Sequence, residues 1–91
     1  MNIKNQFLLD SKVTFLNHGS FGACPKEIFN EYQSWQKKLE TQPVKFLDQY
    51  RDFGPNMTNV RKALSKNLHC NVNNLVPVVN ATTGLNAIIK S

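Results

Sequence analysis

Ninety-one residues with 41% apolar and 19% charged content, four Gly and four Pro describe one globular unit, not a disordered tail or a collagen-like chain. A chain of this size buries about 60–65% of the surface its unfolded form exposes, which supports a modest core but leaves thin cover for an enclosed cofactor. Eleven Lys and Arg against six Asp and Glu set the net charge at +5. The basic residues are dispersed from Lys4 to Lys90, only two of them are Arg, and the longest run is Lys37-Lys38, so the excess reads as a solvated surface and no nucleic-acid partner is expected.

Cys24 and Cys70 stand 46 positions apart and make no disulfide framework, so reduced thiols are expected. Two isolated cysteines with His18 and His69 offer no zinc spacing, and no metal site is expected. The start, Met-Asn-Ile-Lys-Asn-Gln, has no signal-like apolar region, and no apolar stretch approaches the roughly 18–20 residues that span a bilayer. A cytoplasmic protein with no membrane partner is the expectation.

In chain order, Val13-Thr14-Phe15-Leu16 is β-branched and apolar and predicts a short strand. It runs into a loop, Asn17 to Pro25, in which Gly19 and Gly22 permit positive φ. Pro25 suits a first helical turn, and Ile28, Phe29, Tyr32, Trp35 and Leu39 recur at helical spacing until Gln42-Pro43. Their stripe belongs to a core or an interface. A second periodic stretch from Val44 through Leu47 and Tyr50 meets Gly54-Pro55, where a break or kink is expected. Met57, Val60, Ala63, Leu64 and Leu68 then predict a helix from Pro55 to about Leu68. Asn71 to Asn74 is a polar turn, and Leu75 to Val79 reads as a buried strand whose paired part begins at Val78, because Pro77 donates no ladder bond.

Asn80-Ala81-Thr82-Thr83-Gly84 follows that strand and precedes Leu85, Ala87, Ile88 and Ile89 at helical spacing. Free N–H groups of a first helical turn, together with the positive end of its dipole, suit a phosphate, and Thr82 and Thr83 add hydroxyls. The same residues are also ordinary N-caps, which require no ligand. His18, between turn residues, is equally a plain loop hydrogen-bonder, and neither histidine has a nucleophilic triad around it. The last helix still carries its apolar stripe where the chain stops at Ser91, and the end reads as an interruption.

The order of these pieces is itself informative. Phe15-Leu16-Asn17-His18-Gly19-Ser20-Phe21-Gly22-Ala23, a helix, Gln42-Pro43-Val44-Lys45-Phe46, then Val60-Arg61-Lys62-Ala63-Leu64 and Val79-Asn80-Ala81-Thr82-Thr83-Gly84-Leu85-Asn86 together resemble the N-terminal portion of class V aminotransferase-family enzymes. These are fold-type I proteins dependent on pyridoxal phosphate (PLP). The Leu-Asn-His-Gly-Ser-Phe-Gly version is most similar to the isopenicillin N epimerase-like branch, with cysteine desulfurases as more distant relatives. The resemblance implies an α/β fragment: an N-terminal arm and substrate-side loop over residues 1–24, a helical segment over 25–70, and over 75–91 the first strand, turn and helix of the PLP-binding domain.

By the same resemblance, Ala81, Thr82 and Thr83 bind the cofactor phosphate. Asn17, His18, Gly19 and Ser20 lie near an amino-acid substrate, where backbone N–H groups approach its carboxylate. Arg61 is expected in a structural ion pair, not on the substrate, and Pro43 to Phe46 is expected at a subunit interface of a homodimeric parent. Pro55 departs from the family's uninterrupted helix. PLP chemistry also requires a lysine joined to the cofactor and an acid beside the pyridine nitrogen. None of the nine lysines occupies the family's position, so no catalytic residue is assigned. The expectation is an N-terminal fragment, inactive alone, of an enzyme of the epimerase, aminotransferase or C–S lyase type. The alternatives are a cysteine desulfurase-like parent and a small, non-catalytic, basic binding protein.

Overall fold

A computed structural model describes residues 2–91. Its order of elements is a 3-10 turn at Ile3–Gln6, helix α1 at Lys26–Thr41, α2 at Pro43–Leu47, α3 at Phe53–Leu68, a second 3-10 turn at Val72–Asn74, and α4 at Ala81–Lys90. The chain divides into two units, residues 1–46 and 47–91.

In the first unit, Asn2 caps the opening 3-10 turn by accepting from the Lys4 N–H at 3.1 Å. Phe7 forms an isolated antiparallel bridge with Pro25, and Lys26 Nζ donates to the Asn5 carbonyl at 2.8 Å. These contacts hold the arm beside the start of α1. Pro25 is the N-cap, with φ −58° and ψ 144°, a geometry that its ring favours and that feeds directly into the helix. On α1, Trp35 donates from Nε1 to Glu31 Oε1 at 2.8 Å. Lys38 Nζ lies 4.2 Å from the centroid of the same indole, within cation–π range, and the Phe46 ring meets it edge-on at 6.1 Å.

In the second unit, Asp48 organises the approach to α3. Its carboxylate accepts from the Tyr50 N–H at 2.8 Å, and its carbonyl accepts from the N–H groups of Arg51 and Phe53. The expected interruption therefore falls at residues 48–52, and α3 includes Gly54 and Pro55 in its first turn. Proline is tolerated there because first-turn N–H groups have no intrahelical partner in any case. At the other end His69 adopts the left-handed conformation, φ 52° and ψ 41°, and donates from its backbone N–H to the Ser65 carbonyl. This left-handed cap terminates α3 at Leu68 without the glycine that usually occupies such a position.

Three expectations are corrected. The fold is mostly helical, with no strand among the described residues. Val13–Leu16 and Leu75–Val79 are not strands, because a strand is completed by a neighbour that shares its hydrogen bonds, and none is present for either segment. The α/β class therefore gives way to a helical arrangement with one isolated bridge. Secondly, neither Gly19 nor Gly22 has positive φ, so their loop does not depend on glycine's conformational range. The glycine with a steric requirement is Gly54, where an added Cβ would overlap the Gln49 carbonyl oxygen.

Thirdly, the single core anticipated from composition is absent. No hydrophobic residue among those described is buried. The chain exposes 8319 Å², whereas two separate compact units of about 45 residues would together expose roughly 6,500 Å². Ile28, Tyr32 and Val60 are each 58% exposed. The α1 stripe is consequently a surface in this chain and not the inside of a core.

Candidate functional site

The N-terminus of α4 is built by Asn80. Its backbone is extended, with φ −161° and ψ 170°, and its side-chain Oδ1 accepts from the Thr83 N–H at 2.8 Å, while its carbonyl accepts from the Gly84 N–H at 3.2 Å. Asn80 is thus an N-cap in the full sense: one oxygen satisfies an orphan donor and the other opens the intrahelical ladder. The N–H groups of Ala81 and Thr82, and the hydroxyls of Thr82 and Thr83, take no part in any described hydrogen bond. All three residues are exposed.

That donor set fits a phosphate. It combines two backbone N–H groups, two hydroxyls and the positive end of a ten-residue helix, all features that favour an anion. The fit carries one restriction absent from the sequence reading, since the Asn80 carboxamide already holds the third N–H, that of Thr83. An anion at this turn gains the third N–H only by sharing it with Asn80 or displacing the cap.

Gly84 adds a packing constraint to the same turn. A Cβ there would stand 3.3 Å from Val78 Cγ2, so the first turn of α4 folds closely against the segment that precedes it. Val76, Pro77, Val78 and Val79 in turn line one side of an open groove of about 560 Å³, whose other walls are Phe53, Met57 and Arg61 of α3.

Arg61 is half-buried, and its guanidinium forms no ion pair among the described residues, contrary to expectation. Nε donates to the Leu75 carbonyl at 2.8 Å and Nη2 to the Val72 carbonyl at 2.7 Å, so the planar fork ties α3 to the connection that leads into α4. The sequence did contain a signal for this role. Arg61 falls four residues after Met57, on the same stretch of helix surface as the apolar stripe, where a charged residue needs partners.

The second predicted cluster, Asn17 to Ser20, lies in the other unit. Asn17 Nδ2 donates to Ser20 Oγ at 3.1 Å, and the Ser20 N–H donates back to Asn17 Oδ1 at 3.3 Å. His18 Nδ1 accepts from the Ala23 N–H at 3.4 Å, and its ring meets Phe15 edge-on at 4.6 Å. Gly19 has open space around its α-carbon, the nearest contact of an added Cβ being 3.9 Å away. The loop is a closed local hydrogen-bonded turn in which the Ser20 N–H is already engaged.

No group of three or more potential metal ligands occurs among the described residues. Cys24 and Cys70 are both free and exposed. No helix of the described residues is long and apolar enough to cross a membrane.

No family model matches the chain, and no solved structure matches it. Among curated proteins, it is 31% identical over 83 residues to the L-cysteine desulfhydrase-like protein lolT2 of Epichloe uncinata. The aligned stretch covers 91% of this chain but only 18% of that protein. The chain is therefore distantly similar, over most of its own length, to a small part of a cysteine desulfhydrase-like protein.

Proposed function

We propose that this chain forms the phosphate-binding N-terminal part of a PLP-dependent enzyme that acts on an amino acid, and that C–S bond cleavage is the reaction class. The observation that carries the reading is the α4 N-terminus, where the N–H groups of Ala81 and Thr82 and the hydroxyls of Thr82 and Thr83 are exposed and take no part in a described hydrogen bond, directly after the apolar segment Leu75 to Val79. The order of motifs from Phe15 to Asn86 and the similarity to a desulfhydrase-like protein support it. PLP, when bound, supplies the electron sink for chemistry at the amino acid's carbon atoms. The chain's own contribution is to orient that group: two N–H groups and two hydroxyls grip the phosphate, while the helix dipole offsets its charge.

On this reading the loop Asn17-His18-Gly19-Ser20 faces the amino-acid substrate in the whole enzyme, which is a homodimer. Epimerisation and transamination would use the same phosphate turn, and only product analysis of the whole enzyme separates them from C–S cleavage.

The test compares three ligands on the isotopically labelled chain. Inorganic phosphate and PLP are expected to shift the amide resonances of Ala81, Thr82 and Thr83, whereas pyridoxal, which lacks the phosphate, leaves them in place. Replacing both Thr82→Ala and Thr83→Ala weakens the response. Equal responses to PLP and pyridoxal, or none to phosphate, would refute the reading.

A further inference from the structure

We infer that Arg61 is a positioning residue for the phosphate turn, acting through the polypeptide between its two carbonyl partners and α4; this rests on the function proposed above. The route is continuous within one unit. The guanidinium fork spans the carbonyls of Val72 and Leu75, which are themselves linked by the Leu75 N–H to Val72 carbonyl bond of the 3-10 turn. Four residues follow, Val76 to Val79, whose backbone is joined to no other element by a described hydrogen bond. They lie along Phe53, Met57 and Arg61 of α3. Val78 then lies near the first turn of α4, where a Cβ on residue 84 would stand 3.3 Å from Val78 Cγ2.

The described side-chain hydrogen bonds from α3 to the connection that leads into α4 are thus concentrated in one residue. Apolar contact along the groove is not directional and does not select where the segment sits lengthwise. Two hydrogen bonds from one rigid planar group do, because both must be satisfied at once. A lysine at this position keeps the charge but has a single ammonium, which cannot reproduce the fork. Arg61 therefore selects the placement of Asn80 to Thr83 by geometry, and its charge is secondary.

Amide hydrogen exchange of the labelled 91-residue chain, with and without inorganic phosphate, tests this in wild type, Arg61→Lys and Arg61→Met. Without ligand, exchange at Thr83 and Gly84 is expected to rise about tenfold or more in both variants, the consequence of losing at least one charge-assisted hydrogen bond. Exchange at Val60 and Leu64, inside α3, stays at the wild-type rate. The phosphate-induced shifts of Thr82 and Thr83 diminish in parallel.

Full rescue by lysine would overturn the inference, since charge alone would then suffice. Wild-type exchange at Thr83 in both variants would overturn it as well, as would loss of α3 protection in both, which would make Arg61 a general stabiliser of the helix. A wild-type chain that does not respond to phosphate refutes the proposed function instead, and that result is read independently of the variants.

Discussion

Replacing Asn80 by alanine separates the two roles that meet at the start of α4. The side chain supplies one hydrogen bond, 2.8 Å from Oδ1 to the Thr83 nitrogen, and loss of such a cap costs about 1 kcal/mol, within a range of 0.5–2. For α4 this is a large share of what holds it. The helix has ten residues, isolated helices shorter than about 12–15 residues are marginal in water, and Ile88 and Ile89 are each 74% exposed, so packing contributes little. A loss of about 1 kcal/mol lowers the helical population of α4 roughly fivefold relative to its coil.

The same substitution frees the Thr83 N–H for an anion, so phosphate should compensate. An anion at a helix N-terminus restores about 0.3–1 kcal/mol, and up to about 2 in a favourable site. Far-UV circular dichroism and the Thr83 amide shift, followed as sodium phosphate replaces sodium chloride at constant ionic strength, measure both effects. Asn80→Ala is expected to begin less helical than wild type and to recover most of the difference with phosphate, while wild type gains less. If phosphate restores no more helix than chloride in the variant, the anion does not occupy this turn and Asn80 is a cap alone.

Gly54→Ala should destabilise the entry to α3 by roughly 1–3 kcal/mol, because the new methyl group overlaps a backbone carbonyl; amide protection at Met57 and Thr58 reports it, and Gly19→Ala, in open space, serves as the neutral control. With no buried apolar residue among those described, thermal unfolding of the 91-residue chain should be broad and gradual when followed by circular dichroism. A sharp cooperative transition would instead favour a self-standing binding protein.

Elements whose hydrogen bonds run between near neighbours in the chain were readable from the sequence. α1, α3 and α4 follow their apolar periodicity, since each helical bond spans four residues and needs no distant partner. Residue type also marked Asn80 to Gly84 as the start of a helix, while the assignment of Ala81, Thr82 and Thr83 to a phosphate rests on the family resemblance. The segments Val13–Leu16 and Leu75–Val79 have strand-like composition, but composition cannot supply the second backbone that makes a strand, and in this chain neither obtains one.

Contacts that residue type does not specify decided the rest. Asn80 takes the Thr83 donor, which changes how many groups remain for a phosphate. Arg61 turns from an expected ion pair to two carbonyls eleven and fourteen residues away, and thereby connects α3 to the segment that leads into α4. The glycine that matters sterically is Gly54, against Gln49, and not the pair in the histidine loop. Length and composition promised one small core, yet whether apolar side chains are covered depends on what packs against them. The stripes of α1, α3 and α4 are legible as faces from their spacing; that they remain exposed is a property of the tertiary structure alone.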